Sequence, residues 1–259
     1  MEIFHLFLAV MLAVINYPIV YFVGRRIETH DVRRVYAPTA EKTQIAREQR
    51  NAIFTTPVHA LIFIVVLTTG ALHPATESWR VITLTFLIAF VWTEIWHYFS
   101  HRAMHHRRLL FLHREHHLSA ITNPWTSVSF SFLEKFVFSL GIIGFMAMLS
   151  HWVPISVSGI AAYYVFYFFT NTLGHANFEI RAPGYRHTFM GKCFVSPSYH
   201  AMHHARYIKN YGLITPWLDR LLGTAWEDYG IVQTQVASGT PLARLGERFT
   251  ERFQGIDHA

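Results

Sequence analysis

The sequence predicts an all-α integral membrane protein, a bundle of four to five transmembrane helices carrying a histidine-rich helical cap on the cytoplasmic side. Three observations predict it. Of 259 residues, 52% are hydrophobic and only 15% charged, a balance too apolar for a soluble domain of this size. Apolar runs long enough to cross a bilayer core recur along the chain, separated by charged or turn-forming segments. Histidines gather at helical spacing where those runs end, above all between Glu94 and His117.

Residues 3–23 form the first apolar run, followed at once by Arg25 and Arg26. No basic residue precedes it and no small-x-small site follows, which predicts a retained span rather than a removable leader, with the N-terminus outside. Residues 24–51 add Arg33, Arg34, Lys42, Arg47 and Arg50, an excess of cations that places this segment in the cytoplasm. The sequence pI near 9.5 then speaks of anionic lipid headgroups, and no motif for nucleic acid accompanies it. Runs 52–71 and 80–98 read as a hairpin closed by His73-Pro74. Runs 130–149 and 156–173 read as a second, turned between Ser150 and Pro154. The cap is expected over about 99–129 and 174–226, with a tail over 227–259. In that tail Leu242, Leu245, Phe249 and Phe253 recur at helical spacing after a Thr240 cap. No linker divides residues 1–259, so one membrane domain is expected. The single Cys193 excludes a disulfide framework and sulfur ligation of a metal.

The histidines carry the chemistry. On a helix, His101 and His105 stand one turn apart, about 6 Å along the axis, and Glu94 shares their face. His113, His116 and His117 follow the spacing i, i+3, i+4, which gathers three imidazoles into an arc of ~100° and suits convergence on one point. His200, His203 and His204 repeat that spacing, and His175 stands alone between the two copies at the end of an apolar run. A single such box is as readily a solvated helix face as a site. Two boxes, H-x-x-x-H and His175 together bring nine imidazoles that would repel when protonated and strand polar nitrogens when buried, unless a metal takes their lone pairs. Nine is too many for one catalytic zinc, and two metals fit the number. Imidazole suits iron, zinc, copper and nickel alike, so ligand type leaves the metal open. A zinc-dependent membrane hydrolase and a histidine-lined metal transporter or store are the alternatives. Against the second, transport ligands usually lie near mid-membrane, whereas these boxes lie beyond the span ends.

These motifs resemble the fatty acid hydroxylase and sterol desaturase family of integral-membrane di-iron oxygenases. The resemblance covers roughly residues 80–226: His101-Arg-Ala-Met-His105, His113-Arg-Glu-His116-His117, Asn123-Pro124, His200-Ala-Met-His203-His204, Asn210-Tyr-Gly and Trp217-Leu-Asp-Arg-Leu-Leu-Gly-Thr224. Trp96 to His106 is similar to the methylsterol oxidases within it. The resemblance implies that His101, His105, His113, His116, His117, His175, His200, His203 and His204 ligate two iron ions. It adds His97, one turn deeper, and Asn171, where some members carry histidine, as further candidates. Glu94 stands where the family often has an acidic residue and is expected to orient His101 or His105; Asp219 is expected to act likewise or to form a salt bridge in the cap. The implied activity is dioxygen-dependent hydroxylation or desaturation of a lipid, a sterol or a fatty acyl or alkyl chain, in the bacterial inner membrane or the endoplasmic reticulum. No nucleotide-binding glycine motif or haem domain is visible, so a separate electron-transfer protein is expected to supply the electrons, and a basic cytoplasmic face suits an acidic one.

Overall fold

A computed structural model describes residues 3–29 and 33–249. Twelve α-helices form among them, and no strand. The first long apolar helix runs over Ile3–Ile27, nearly continuous from α1 (Ile3–Val14) into α2 (Asn16–Thr29). A second follows over Lys42–Thr68, where Pro57 begins a new helix without needing an N–H partner and so divides α3 (Lys42–Thr55) from α4 (Pro57–Thr68). The 26-residue α5 (Trp79–Met104) starts at Ser78, whose hydroxyl accepts from Val81 N at 3.3 Å. The short α6 (Leu110–His117) is followed by a 3₁₀ turn, Pro124–Val128, opened by Asn123, whose side chain accepts from Trp125 N at 2.9 Å. Serine caps also start α7 (Phe132–Leu149) and α8 (Val157–Gly174).

Four of these helices are long and apolar enough to span a membrane: Ile3–Ile27, Lys42–Thr68, Trp79–Met104 and Phe132–Leu149. The fifth expected span, 156–173, forms α8 but is not among them. Tyr163, Tyr164, Tyr167, Thr170, Asn171 and Thr172 lower its hydropathy, and most of it is buried against the other helices. It is the inner helix of the bundle, packed on α1, α2 and α5. Gly159 permits the α5 contact, since a Cβ there would stand 2.7 Å from Thr85 Cβ and 2.8 Å from Ile82 O. Phe63, Ile142, Ile143, Met146, Ile160 and Tyr163 fill the centre between α4, α7 and α8. His59 belongs to this core, its Nε2–H donating to Leu12 O at 2.6 Å and its ring stacked on Tyr164.

The two ends of the bundle differ. At one end the hairpin loops zip together, with Ala75 N donating to Ile155 O and Ser156 Oγ to Glu77. At the other, α6, α9 (Phe189–Cys193), α10 (Pro197–Arg206), α11 (Trp217–Leu221) and α12 (Tyr229–Ala237) build the cap. The basic segment before α3 joins this end: Val35 N donates to Asn177 O at 3.1 Å and Ala37 N to Leu242 O at 2.9 Å. The segment from 227 onward is therefore more than a tail, because Tyr229, Val232 and Val236 of α12 pack against Tyr199 and Met202 of α10. The helix expected after Thr240 does not form over 240–249. Leu242 is instead fully buried in a bridge to Tyr36, and Phe253 lies outside the described residues.

Candidate metal centre

All nine histidines meet at the capped end, as two groups whose ligand-type atoms lie within 4.8 Å of one another: His101, His105, His113, His117 and His203 in one, His116, His175, His200 and His204 in the other. The expectation that each H-x-x-H-H box converges on one point is corrected. At 100° per residue, positions i and i+4 differ by ~40°, whereas i+3 and i+4 differ by ~100°. His113 and His117 therefore stay together while His116 turns to the other group, and His200 and His204 stay together while His203 crosses over. Each box therefore contributes to both groups.

The rings are oriented from outside. His101 Nδ1–H donates to Tyr211 O at 2.9 Å, His116 to Ser129 O at 2.9 Å, His175 to Asn171 O at 2.8 Å, His203 to Lys209 O at 2.7 Å and His204 to Ser119 O at 3.0 Å. His113 alone meets a carboxylate, Glu134 Oε1, at 2.5 Å. A carbonyl can only accept, so these bonds fix the Nδ1–H tautomer and turn the Nε2 lone pairs inward. The consequence is sharpest between His116 and His175. Their Nε2 atoms lie 3.2 Å apart, and each already carries its proton on Nδ1, so two lone pairs face each other with no hydrogen between them. Burial, with repulsion between neighbouring imidazoles, holds His113, His116, His117, His200, His203 and His204 well below the ordinary imidazole range. His175 is lowered by burial to about 4. A proton is thus a poor occupant of that gap. The Nε2 atoms of His101, His113 and His204 and both nitrogens of His105 are likewise buried without a partner. Inward lone pairs on neutral, buried imidazoles are the donor set a soft to borderline cation requires, and the residues fit two such ions.

The carbonyl acceptors are themselves held. Asp219 accepts from Tyr211 N at 2.9 Å, Gly212 N at 2.7 Å and the Thr224 hydroxyl at 2.7 Å, fixing the loop that presents Tyr211 O to His101. Burial raises the Asp219 carboxyl, and it makes no salt bridge among the described residues. Only glycine fits at 212, where a Cβ would stand 2.4 Å from Thr215 O. Glu94 does not reach His101 or His105 as expected. Its carboxylate takes the backbone N–H of Thr215 at 2.8 Å and the Thr215 hydroxyl, so it ties α5 to the same loop. Glu48 accepts from Ser119, Asn123 and Thr126 hydroxyl or amide groups and so fixes the turn whose Ser119 O holds His204. The Lys209 carbonyl comes from a segment in which Tyr207, Lys209 and Asn210 all have φ between 52° and 71°, a costly conformation held here by Asn210's bonds to Tyr199 O and Trp226 N.

Beside both groups lies a cavity lined by His97, Met104, Phe130, Glu134, Phe138, Tyr167 and Asn171 together with histidines of each group. His97 lies outside the two groups, its ring 5.0 Å from that of His101, and both its nitrogens are buried without a partner. Asn171 commits its amide to Ser127 O at 2.8 Å. Phe130 stacks on His116 at 4.7 Å between centroids. His106, by contrast, is exposed. Sequence reasoning missed Glu134 and Glu48. Glu134 sits three residues after Ser131 and reads as a helix capping box; its place in an apolar run was the available signal.

A fatty acid hydroxylase family model matches residues 86–224, more than half of the chain and the part that holds all nine histidines. Protein CER1-like 2 of Arabidopsis thaliana is 31% identical over 206 residues, covering 75% of this chain and 32% of the relative. Very-long-chain aldehyde decarbonylase CER1 of the same plant is 36% identical over 135 residues, covering 51% of this chain and 21% of the relative. Very-long-chain aldehyde decarbonylase GL1-6 of Oryza sativa subsp. indica is 36% identical over 136 residues, with the same coverage of each. The chain spans a third or less of the length of these relatives, and no solved structure matches it. On the family match, and on the histidine boxes that lie within it, the chain belongs to the fatty acid hydroxylase/sterol desaturase family.

Proposed function

We propose that this chain is a membrane lipid oxidoreductase in which the nine histidines hold two iron ions and dioxygen is the oxidant for a hydroxylation or desaturation of an alkyl chain. The observation that carries it is the pair of Nε2 lone pairs of His116 and His175, 3.2 Å apart with no proton to share, inside one of two groups of convergent imidazoles. Two ferrous ions would supply the electrons that activate dioxygen, chemistry open to iron and closed to zinc. The chain's own part is to hold and to exclude. Nδ1 donors to fixed carbonyls keep each imidazole neutral and aimed. Phe130, Phe138, Met104 and Tyr167 give the adjoining cavity an apolar wall suited to hydrocarbon. Glu94 and Asp219 act at one remove, by positioning the loop that holds His101.

Of the further ligand candidates, His97 faces this cavity from outside both groups, and Asn171, also on its wall, commits its amide N–H to Ser127 O, which favours a role toward substrate over one toward metal. The basic segment before α3 and the histidine cap share one end of the bundle, and the positive-inside rule makes that end cytoplasmic. Electrons then arrive from a separate carrier protein at the same face. A zinc hydrolase would need fewer imidazoles than the site gathers, and a transporter would need its ligands deeper among the spans.

A second reading has its own support: two of the relatives just described are named very-long-chain aldehyde decarbonylases. One experiment tests both. Iron-loaded and zinc-loaded protein in lipid vesicles receive reductant, isotopically labelled dioxygen and either a membrane lipid extract or a long-chain aldehyde. Label or new unsaturation in the lipid, with iron alone, supports the first reading. An alkane one carbon shorter than the aldehyde supports the second. Lipid oxidation with zinc, or without dioxygen, overturns the first reading, and absence of the shorter alkane under every condition overturns the second.

A further inference from the structure

Outside the four apolar spans, the cap exposes large apolar side chains on two one-turn helices. Phe189 of α9 is 78% exposed and Leu221 of α11 is 77% exposed, with Met190, Trp217 and Leu222 beside them. The two helices are joined: the Arg220 guanidinium donates to Lys192 O at 2.6 Å and Gly191 O at 3.2 Å, binding α11 to the end of α9. The pair is fixed against a span. Thr215, just before α11, donates to Glu94 of α5, and Thr224, just after it, hydrogen-bonds the Tyr98 hydroxyl at 2.8 Å. One position round α5 from Glu94 and Tyr98, the exposed Ile95 and Phe99 belong to its lipid-facing side. The exposed apolar side chains of α11 and α9 are thus tied, through Thr215 and Thr224, to the stretch of the span that carries Ile95 and Phe99.

Cations border this surface. Lys192 and Arg102 are both exposed beside it, long side chains that can lay their stems on apolar surface and hold their charge at headgroup level. On another side of the cap, Phe111 and Leu118 of α6 share a cleft with Phe54 of α3 and Phe132 at the start of the α7 span. Apolar exposure at the base of the cap is therefore not confined to one patch, as it would be for a single protein partner.

We propose that α9 and α11 are seated in the membrane, in the boundary between headgroups and acyl chains, so that the base of the cap is immersed in lipid rather than resting above it. The occupant of the face is bilayer lipid. An apolar groove opens beside it, lined by Phe166, Leu173, Phe194, Leu213 and Ile214 with Arg181 at its edge. Its wall at Gly174 lies close behind the second imidazole group, since a Cβ there would stand 3.9 Å from His200 Cβ. Immersion of α9 turns the mouth of this groove toward acyl chains. The inference rests on the spans and the exposed side chains, and is independent of the chemistry proposed above.

The test is nitroxide accessibility of the full chain in vesicles of phosphatidylcholine and phosphatidylglycerol. Spin labels are placed at Phe189→Cys and Leu221→Cys in a Cys193→Ser background, with Ile95→Cys as the lipid reference and Glu227→Cys as the aqueous one. Met190→Cys and Trp217→Cys on the same face serve if either first variant fails to fold. The ratio of collision with dioxygen to collision with a water-soluble nickel chelate should exceed that of Glu227 several-fold and approach that of Ile95. A ratio like that of Glu227 would overturn the proposal by showing a solvated face. Poor access to both reagents with dipolar broadening would overturn it by showing a second copy of the chain on that face.

Discussion

Replacing Glu134 by glutamine isolates one link of the metal centre. Glu134 and His113 are each 2% exposed, and Oε1 stands 2.5 Å from His113 Nδ1, the one imidazole here whose Nδ1 partner is a carboxylate. The change keeps side-chain volume, so no cavity opens. It removes the charge that strengthens this hydrogen bond and makes the ring a better donor at Nε2. Losing such an outer partner weakens metal binding by about 10- to 100-fold, or about 1.4 to 2.7 kcal/mol. The loss should fall on the five-imidazole group that contains His113 and leave the four-imidazole group unchanged. Competition with a chelator, followed by metal analysis of the purified protein, should resolve one weakened ion and one unaffected. Ser131→Ala is the control. It removes the α7 cap, worth about 0.5 to 2 kcal/mol of stability, while sparing the carboxylate. If Glu134→Gln holds both ions within twofold of the unaltered protein, Glu134 is a bystander and the account of His113 is wrong.

Other perturbations separate the two groups and the orientation of the bundle. His116→Ala and His203→Ala should each cost chiefly one ion, from different groups, whereas His151→Ala, at the opposite end of the bundle, should leave metal content unchanged; equal losses in all three would refute the assignment. In metal-free protein the buried imidazoles stay neutral, so the unfolded chain, with ordinary histidine pKa near ~6.5, binds more protons as pH falls. Stability should therefore drop from about pH 6.5 toward the His175 value of about 4, by about 1.4 kcal/mol per pH unit for each imidazole in its window, read as a falling melting temperature. A flat profile would contradict the buried, neutral assignment. In a Cys193→Ser background, an impermeant maleimide should label cysteine at Glu227 from the cytoplasmic side and cysteine at His73 from the outer side; the reverse would invert the topology.

The apolar runs made the bundle legible, since helix length and hydropathy are local properties. The role of the last run was not, because α8 is inner rather than lipid-facing and that depends on what the other helices cover. Spacing alone gathered the nine histidines, yet it did not divide them. The division follows from ~40° against ~100° around α6 and α10, which matters only once two helices face each other. Five of the Nδ1 acceptors are main-chain carbonyls of Ser119, Ser129, Asn171, Lys209 and Tyr211, on which side-chain identity is silent. Glu134 had a local reading as a cap residue that concealed its longer reach.

The charge around the centre closes the physical argument. Neutral imidazoles would bring no negative charge to a pair of cations, so compensation would have to come from farther out. Five buried carboxylates stand there: Glu134 on His113, Asp219 beneath Tyr211, Glu94 on Thr215, Glu48 beneath Ser119, and Glu179 on Ser196 and Ser198 at the start of α10. Among the described residues none of the five forms a salt bridge with lysine or arginine. Buried carboxylates without a cation are costly, and hydrogen bonds from hydroxyl and backbone groups offset only part of that cost. Two divalent ions at the centre would offset much of the rest. Four of these carboxylates also fix the segments that aim His101, His113 and His204, so the groups that would balance the charge of such ions are also those that shape the site.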